Sequence, residues 1–296
     1  MNKKIFLFGS TGYLGSRINE HLLQKGYRVQ AIKTDVTDLS EVRKALNGVT
    51  NQVVINATGK TGKPNVDWCE DHRLETASVN ITGAINVAKV ASEQGNFVVQ
   101  MGSGCIFDSS VIPPSLSFRP TPSESASRGG VEESRIYEFT ESDFPNFFGS
   151  FYSITKGVAE CALREIPNVC ILRIRMPLSS VSHPKNLLNK LLQYKKILNT
   201  PNSVTVIEDF LPFLERVIEK RITGVLNAVN PGVYHHRDLL ELYGKGFLGS
   251  SAASAESLGM TAVGPFEYIT LDKFSGMTKA KRSNCVLSTK KSEDMG

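Results

Sequence analysis

The sequence has few cysteines, one tryptophan and no long apolar run, and each shortage argues against a class of protein. Its five cysteines have no paired spacing, which argues against a disulfide framework and favours reduced thiols in a cytoplasmic protein. No apolar run is long enough for a signal peptide or a membrane helix. The net charge of +5 comes without a tract of lysine and arginine, so an anionic small molecule is a better expected partner than nucleic acid. No metal site is indicated.

The remaining composition is typical of a globular α/β protein. With 296 residues, of which 41% are hydrophobic, the chain can bury a large core. Short apolar runs typical of strands alternate with segments of helical periodicity, which predicts a parallel sheet with right-handed crossovers. We expect one large domain of this kind and a smaller appended lobe.

A glycine-rich loop follows the first predicted strand, Lys4–Phe8. Gly9, Gly12 and Gly15 form the pattern G-x-x-G-x-x-G, and a segment of helical periodicity begins within it. Glycines let the backbone approach a pyrophosphate, and a helix N-terminus offers it free N–H groups. Because the loop joins a strand to a helix, it predicts a dinucleotide site. The alternative is an ordinary glycine-rich turn.

The ends of the next two predicted strands indicate which dinucleotide binds. Lys33 stands near the position where an acidic residue would bind the adenosine ribose of NAD. A lysine suits a 2′-phosphate and favours NADPH, whereas the nearby Asp35 leaves NADH open. The alternative for Lys33 is a solvated surface lysine. After the third strand, the small residues Ala57, Thr58 and Gly59 would let a cofactor lie across the sheet edge.

A hydroxyl and a thiol lie near the end of the fourth predicted strand. The apolar run Phe97–Val99 predicts a buried parallel strand, and Ser103 and Cys105 follow it, two residues apart. If the extended backbone continues that far, both side chains face the cleft where open α/β sheets bind ligands. Gly102 and Gly104 would let a ligand approach the backbone closely. The alternative is a small-residue strand exit with a buried cysteine.

Two irregular stretches flank this strand. Residues 61–70 form a polar loop with the only tryptophan, and its place at the ligand end of the sheet makes it a candidate sugar-binding wall. A loop without such a role is the alternative. Residues 108–134 are rich in serine and proline, which predicts a surface insertion without chemistry. Leu74–Gln94, between the two stretches, has the periodicity of one long helix.

Tyr152 and Lys156 are four residues apart and would lie on one face of a helix. A nearby ammonium favours the phenolate over the phenol and lowers the pKa of the tyrosine. Such a tyrosine can donate a proton to a carbonyl oxygen as a hydride arrives. Because this spacing is common by chance, a pair on a helix surface is the alternative.

Together, the three glycines, Ser103, Tyr152 and Lys156 have the order and approximate spacing seen in the extended short-chain dehydrogenase/reductases. Further blocks, up to about Asn284, resemble one subfamily, the bifunctional UDP-4-keto-6-deoxyglucose 3,5-epimerase/4-reductases of UDP-L-rhamnose synthesis. These blocks are Gly62–Glu70, Gly104–Phe107, Pro145–Ser153, Leu172–Pro177, Thr200–Ser203, Asn230–Gly232 and Arg282–Asn284. The resemblance implies a Rossmann-type doubly wound parallel sheet with a smaller C-terminal substrate lobe.

The resemblance implies chemical roles for five residues. Ser103 would hydrogen-bond the C4 carbonyl, Tyr152 would protonate it, and Lys156 would hold the nicotinamide ribose and lower the pKa of the tyrosine. Epimerisation at C3 and C5 needs a base and an acid, and Cys105 and Lys190 match the thiol and the lysine of the family. A thiolate is a base only where its surroundings favour it. The alternative for Lys190 is a solvated helix lysine.

The resemblance also implies binding residues. The cofactor, NADPH or NADH, would contact Tyr152, Lys156 and a further set at the strand ends, namely Gly9, Thr11, Gly12, Tyr13, Leu14, Gly15, Lys33, Ala57, Thr58, Gly59 and Met176. The nucleotide sugar would contact Asn65, Asp67, Asn202 and Arg282, the last through its diphosphate. Lys281 stands where the family has proline, and residues 244–261 show little similarity.

The second half of the chain is expected to divide between two lobes. Val169–Ile174 is a predicted fifth strand, and the runs Val204–Val206 and Val225–Val229 are expected to return the chain to the sheet. The predicted cofactor domain is residues 1–177, with 206–230 returning to it. The predicted substrate lobe comprises residues 178–205 and 231–296.

Three alternatives stay open. The chain could be a reductase, with or without epimerase activity, for a dTDP- or GDP-linked keto sugar, although Cys105 argues against a reductase alone. It could be a non-catalytic dinucleotide-binding subunit, because the regulatory β subunit of methionine adenosyltransferase shares this fold. The segments Leu74–Gln94 and Tyr152–Arg164 could also pair two copies of the chain, which makes a homodimer one expectation.

Overall fold

The computed structural model describes residues 4–111, 136–249, 266–274 and 276–295. Its strands are β1 (Lys4–Phe8), β2 (Arg28–Ile32), β3 (Val53–Asn56), β4 (Phe97–Ser103), β5 (Glu138–Phe139), β6 (Val169–Ile174), β7 (Pro177–Leu178), β8 (Lys196–Leu198), β9 (Thr205–Val206), β10 (Gly224–Asn227), β11 (Glu267–Ile269) and β12 (Val286–Leu287). Its α-helices are α1 (Tyr13–Gln24), α2 (Leu39–Ala45), α3 (Trp68–Asp71), α4 (Arg73–Ala77), α5 (Ala84–Glu93), α6 (Phe151–Leu163), α7 (Leu187–Leu191), α8 (Ile207–Lys220), α9 (His236–Gly249), α10 (Leu271–Phe274) and α11 (Lys290–Glu293). Ser78–Gly83 is π-helical, and Gly104–Ile106 and Ser109–Val111 are 3₁₀ turns.

Six strands form one parallel sheet in the order β2-β1-β3-β4-β6-β10. The order reverses between β1 and β3, because the chain passes from β2 at one edge back across β1. Open sheets bind ligands outside the carboxyl ends of their strands at such a reversal. The glycine loop after β1 and residues 57–59 after β3 therefore border the expected ligand crevice.

Helices cover both faces of the sheet. Alternate residues of β1 separate two cores: Ile5 and Leu7 pack in one with α1 and α8, whereas Phe6 and Phe8 pack in the other with α2, α5 and α6. This alternation is the side-chain period of a strand that is buried on both sides. The doubly wound α/β fold predicted from the sequence is confirmed.

Most predicted elements have the expected places. Asp38 caps α2, because its Oδ1 atom accepts hydrogen bonds from the backbone N–H groups of Ser40 and Glu41 at 2.8 and 3.3 Å. The predicted helix Leu74–Gln94 differs in one respect, since the π-helical segment separates α4 from α5.

The predicted surface insertion 108–134 does not begin where expected. Asp108 is buried, its backbone N–H donates to Asn146 Oδ1 at 2.9 Å, and its own Oδ1 accepts from the N–H of Ser110. Because these polar groups are satisfied locally, Asp108 belongs to the packed fold. Residues 112–134 lie outside the described residues.

The smaller lobe contains two short parallel strand pairs, β7 with β9 and β8 with β11. Leu191, Ile197 and Leu240 form a separate core there. The prediction that Val204–Val206 returns to the main sheet is wrong, because β9 pairs with β7 while β10 takes the sheet edge beside β6. The backbone N–H of Thr205 donates to the carbonyl oxygen of Arg175 just beyond β6, which holds β9 outside the sheet.

The last described segment returns to the half of the molecule that contains the sheet. β12 pairs in parallel with β5, and Lys291 Nζ donates to Val225 O of β10 at 2.9 Å. Residues 286–295, expected in the substrate lobe, thus pack against the other half. Residues 250–261, part of the stretch with little similarity, lie outside the described residues.

Two expectations about the environment of the chain can be compared with the structure. All five cysteines are free thiols, as predicted. Within the described ranges, no helix combines the length and the apolar character of a membrane span.

Arg173 on β6 and Glu160 on α6 form a buried ion pair between the sheet and its helix layer. Arg173 Nη2 lies 2.7 Å from Glu160 Oε1, and both side chains are almost fully shielded from solvent. Arg164 approaches the same oxygen at 2.9 Å. Removing one partner of such a pair leaves the other charge buried without compensation.

We expect Glu160→Gln to lower the free energy of unfolding by about 3–5 kcal/mol, because Arg173 would remain charged without an anion. Chemical denaturation followed by circular dichroism measures this loss. Glu93→Gln, which removes an exposed carboxylate from α5, is the control, with an expected loss of about 0–1 kcal/mol. An equally small loss for Glu160→Gln would contradict a stabilising role for the buried charge.

Candidate active site

The glycine loop is shaped for close approach of a ligand. Gly9 has a φ of +77°, and a Cβ atom there would lie 2.7 Å from the carbonyl carbon of Ala57. A Cβ atom on Gly15 would lie 2.0 Å from Gly9 O, so neither position accepts a side chain. The N–H of Gly12 donates to Gly9 O at 3.0 Å, and no side chain in the described part of the chain caps the start of α1. This helix end can therefore receive a pyrophosphate.

The other predicted cofactor residues lie along the same edge of the sheet. Asn56, at the end of β3, shapes the turn that follows, because its Oδ1 accepts from the N–H and hydroxyl groups of Thr58 at 3.1 and 2.6 Å. Met176 follows β6 with a φ of +43°, which is unusual for a residue with a side chain. Residues that follow four parallel strands thus lie along one edge of the sheet: Thr11, Leu14, Lys33, Ala57, Thr58, Gly59 and Met176.

Tyr13, predicted to contact the cofactor, also reaches the smaller lobe. Its ring stacks on that of His183, with 4.3 Å between the ring centroids and 13° between the planes. Burial raises the pKa of Tyr13 to about 12, and the charge of Glu208 acts in the same direction. The start of α1 and the segment before α7 are therefore in direct contact.

Ser103, Tyr152 and Lys156 converge at the end of β4, as predicted. Ser150 caps α6 by accepting a backbone N–H of its first turn at 3.1 Å, so Tyr152 lies at the start of the helix. Lys156 lies one turn further, and its Nζ donates to Met101 O at 2.8 Å. The side chain of Ser103 interacts with that of Tyr152 from the end of the strand.

Desolvation dominates the pKa of Tyr152. Burial raises this pKa above the ordinary value, the charge of Cys105 adds to the rise, and Ser103 opposes it. That Lys156 lowers the pKa of Tyr152 stays a prediction. Burial also lowers the pKa of Lys156 to about 8, against the opposing charge of Glu160. A tyrosine that keeps its proton at neutral pH can still act as an acid.

Cys105 reaches the site by a backbone path that was not predicted. The expectation of one extended strand through Ser103 and Cys105 is wrong, because β4 ends at Ser103 and Cys105 lies in the following 3₁₀ turn. Ser103 Oγ accepts from the N–H of Cys105 at 3.1 Å, which stabilises this turn. The thiol is half-buried, and its charge influences the pKa values of four surrounding side chains: Tyr152, Lys156, Lys190 and Cys285.

Lys190 approaches Cys105 from the smaller lobe. It lies on α7, whose N-terminus Asn186 caps by accepting from the N–H of Leu188 at 3.3 Å. Burial lowers the pKa of Lys190, the charge of Lys185 lowers it further, and Cys105 raises it. A lysine with a lowered pKa takes up and releases protons more readily near neutral pH.

The four predicted substrate residues do not form one set. Asp67 Oδ1 accepts from Arg282 Nη1 at 2.9 Å, and Asn65 Oδ1 accepts from the N–H of Asp67 at 2.8 Å. Asn202 is buried, and its Oδ1 accepts from Arg175 Nε at 3.0 Å. The prediction that Asn202 binds substrate is wrong, because protein groups already occupy both polar atoms of its amide.

Two features of the site were not predicted. Arg175 Nη1 lies 3.4 Å from Cys105 Sγ; the sequence placed this arginine in a family block without indicating its partner. Lys60, Lys63 and Lys185 form a basic cluster, since burial and then the charges of the other two lower the pKa of Lys185. The net positive charge of the chain was the only signal for this cluster.

Metal-binding side chains do not cluster at the site. Among the described residues, no group of three or more histidines, cysteines, aspartates or glutamates is placed to hold an ion.

Comparison with known proteins supports the resemblance seen in the sequence. The RmlD substrate binding domain family matches residues 3–238. A trifunctional UDP-glucose 4,6-dehydratase/UDP-4-keto-6-deoxy-D-glucose 3,5-epimerase/UDP-4-keto-L-rhamnose-reductase of Arabidopsis thaliana is 36% identical over 81% of this chain and 33% of its own length. A bifunctional dTDP-4-dehydrorhamnose 3,5-epimerase/dTDP-4-dehydrorhamnose reductase of the same plant is 35% identical over 80% of this chain and 73% of its own. The chain thus spans only about a third of the trifunctional relative.

Solved structures show the same fold. A UDP-rhamnose synthase from Acanthamoeba polyphaga mimivirus has a TM-score of 0.81 and 26% identity, covering 100% of this chain and 94% of that one. A dTDP-4-dehydrorhamnose reductase from Bacillus anthracis, solved with NADP, has a TM-score of 0.72 and 18% identity, covering 97% and 91%. The similarity to the Bacillus anthracis structure concerns the fold alone. This fold is the Rossmann-type fold that the sequence predicts.

Stability should depend on the protonation of Lys156. Because burial lowers its pKa from 10.5 to about 8, the unfolded chain binds more protons than the folded chain between these values. The unfolding free energy of the wild type minus that of Lys156→Met should therefore increase from pH 8 to pH 10.5. Denaturation curves across this range measure the difference. Lys89→Met is the control for the loss of an exposed lysine charge. If the difference in unfolding free energy between the wild type and Lys156→Met does not change with pH, burial does not lower the pKa of Lys156.

Proposed function

The chain belongs to the RmlD substrate binding domain family, and from this premise we propose that it is a bifunctional nucleotide-sugar enzyme. It epimerises C3 and C5 of UDP-4-keto-6-deoxy-D-glucose and then reduces the C4 ketone to form UDP-L-rhamnose. The printed activities of its relatives support this reaction class. The observation that carries the proposal is the convergence of Tyr152, Lys156, Cys105 and Lys190 at the end of β4.

In the reduction, Ser103 donates a hydrogen bond to the C4 carbonyl oxygen, and Tyr152 protonates that oxygen. NADPH, when bound, supplies the hydride. The raised pKa of Tyr152 keeps the proton on the phenol until the carbonyl oxygen becomes basic enough to take it. Lys156 holds the nicotinamide ribose, and the phenol regains its proton from water.

In the epimerisation, Cys105 acts as a thiolate and takes the proton from a carbon next to the C4 ketone, which leaves an enolate. Lys190, as an ammonium, donates a proton to the opposite face of the same carbon and inverts its configuration. The pair then exchanges protons with water and returns to its starting state. The approach of Cys105 from the end of β4 and of Lys190 from α7 supports this chemistry, because inversion needs groups on two faces.

The cofactor belongs to the half of the chain with the glycine loop. Gly9, Gly12 and Gly15 let a pyrophosphate reach the start of α1, where no Cβ atom would fit at two of these positions. Lys33, exposed at the end of β2, favours NADPH over NADH. The NADP found in a structure of the same fold supports this assignment.

The nucleotide sugar belongs to the other side of the crevice. A hydrogen bond and an ion pair join three residues there, namely Asn65, Asp67 and Arg282. A diphosphate suits the nearby basic cluster, which consists of Lys60, Lys63 and Lys185. Residues 1–177 with 206–230 serve as the cofactor domain, against which 286–295 also pack, and 178–205 with 231–285 supply the substrate lobe. A homodimer stays a prediction.

A dTDP-linked keto sugar is the second candidate substrate, because a bifunctional relative that is 35% identical, and of which this chain covers 73%, carries that name. The test is oxidation of NADPH in the presence of UDP-4-keto-6-deoxyglucose or its dTDP counterpart, with product analysis. Formation of UDP-L-rhamnose supports the proposal, and turnover of the dTDP sugar alone favours the second candidate. Tight binding of NADPH without turnover of either sugar would identify a non-catalytic dinucleotide-binding protein.

The two half-reactions should separate by mutation. We expect Cys105→Ala to reduce deuterium incorporation at C3 and C5 in deuterated water by about 10²–10⁴-fold, because the base is removed. Reduction of an already epimerised ketone should persist. Nuclear magnetic resonance of the sugar and the absorbance of NADPH measure the two steps, and Cys161→Ser, at an exposed cysteine, is the control. Exchange at the wild-type rate in Cys105→Ala would remove Cys105 from this role.

Tyr152→Phe should have the converse effect. Loss of the phenolic proton donor should slow ketone reduction by about 10²–10⁴-fold while C3 and C5 exchange persists. The same two assays measure it. A normal reduction rate in this variant would mean that another group protonates the carbonyl oxygen.

A further inference from the structure

Among the described residues, no carboxylate neutralises the buried cation of Arg175. Its side chain is 1% exposed, and in the described part of the chain it forms no ion pair with an aspartate or glutamate. Arg173, two residues earlier, is equally buried but lies against the carboxylate of Glu160. A buried charge without a counter-charge is costly, so the surroundings of Arg175 call for an explanation.

All five N–H groups of the Arg175 guanidinium have partners. Asn202 Oδ1 accepts from Nε at 3.0 Å and also from Nη2. Ser283 accepts twice, through its carbonyl oxygen from Nη2 and through its hydroxyl from Nη1, both at 2.9 Å. These four hydrogen bonds go to three neutral oxygen atoms. The remaining Nη1 contact is to Cys105 Sγ at 3.4 Å, and among the four acceptor atoms only this sulfur can become an anion.

We propose that Arg175 is the positioning residue that holds Cys105 as a thiolate, with Asn202 and Ser283 fixing the guanidinium so that one N–H points at the sulfur. A cation beside a cysteine favours its thiolate, which is the form that can take a proton from carbon. Asn202 thereby serves the site through Arg175 rather than through substrate. The inference deepens the proposed epimerase step and rests on it for its chemical purpose, although the pairing of charge and sulfur can be tested without any sugar.

Other titratable groups also face this pair, and the test has to separate them from Arg175. From α6, Tyr152 and Lys156 interact with Cys105, and Lys190 does so from α7. Cys285, whose pKa burial raises to about 12, lies beside both Arg175 and Cys105. His236 faces Arg175 from the start of α9, and burial lowers its pKa. All of these groups remain in place when only Arg175 or Asn202 is changed.

The first measurement is the rate of alkylation of Cys105 by iodoacetamide as a function of pH, read by mass spectrometry. The full chain carries Cys161→Ser, because Cys161 is the exposed cysteine, whereas Cys69, Cys170 and Cys285 are buried. Arg175→Met should move the midpoint of this profile upward by about one pH unit or more, which is roughly tenfold less thiolate at a given pH below it. Arg175→Lys keeps a positive charge without the planar set of N–H donors, so its midpoint should lie between that of the wild type and that of Arg175→Met.

Asn202→Asp is the variant for the case in which Arg175→Met does not fold. It keeps the shape of the side chain and puts a carboxylate against the guanidinium, so Arg175 has a counter-charge other than Cys105. The chain should remain folded while the alkylation midpoint still moves upward. A role limited to packing predicts an unchanged midpoint in folded Arg175→Lys, and that result would overturn the proposal. An unchanged midpoint in Asn202→Asp would overturn it as well.

Exchange and reduction assays distinguish this proposal from the proposed function. If the proposed function and the role of Arg175 are both correct, the Arg175 variants should lose more exchange activity than reductase activity. The rate of deuterium exchange at C3 and C5 should fall at least about tenfold more than the rate of ketone reduction. Exchange in the wild type together with unchanged alkylation profiles in the variants would overturn the role of Arg175 and leave the epimerase standing. Shifted profiles without any exchange in the wild type would overturn the epimerase step, while the pairing of Arg175 with Cys105 would hold.

Discussion

The parallel register between β4 and β6 determines which side chains meet at the candidate active site. Ser103 pairs with Ile174 at the end of the two strands, so Cys105 and Arg175 leave the sheet next to each other. Gly104 leaves room at this point, because a Cβ atom there would lie 2.7 Å from a terminal methyl group of Leu287 and 3.3 Å from the side chain of Arg175. The contact between sulfur and guanidinium is therefore a consequence of strand pairing. Tyr152 and Lys156 join it because α6 packs on the same strands.

Two buried arginines, Arg173 on β6 and Arg175 just beyond it, differ in the partner of their charge. Arg173 shares its charge with Glu160 and serves the packing of α6 on the sheet. Arg175 is held by neutral acceptors, so its charge stays available to the group at the sheet edge. Perturbed electrostatics of this kind are common at functional sites and uncommon elsewhere in a fold.

Much of the fold and part of the site could be predicted because the signals were local. Apolar runs and helical periods placed β1, α1, α2 and β6, and the spacing of Tyr152 and Lys156 placed both on one helix face. Contacts distant in sequence were harder to predict: Asn202 meets Arg175 across 27 residues, and the desolvation that raises the pKa of Tyr152 comes from every element packed around it. One local prediction was also wrong, because β4 ends at Ser103 and Cys105 lies in the following turn.

Backbone preference and periodicity act over a few residues, so the order of strands and helices, the glycine loop and the set of chemical groups follow from the sequence alone. Three features follow only from the folded chain: Cys105 lies in a turn rather than in a strand, Arg282 pairs with Asp67, and Arg175 faces the thiol. Burial and charge pairing depend on which distant segments pack together, and the spacing of residues along the chain does not encode that packing.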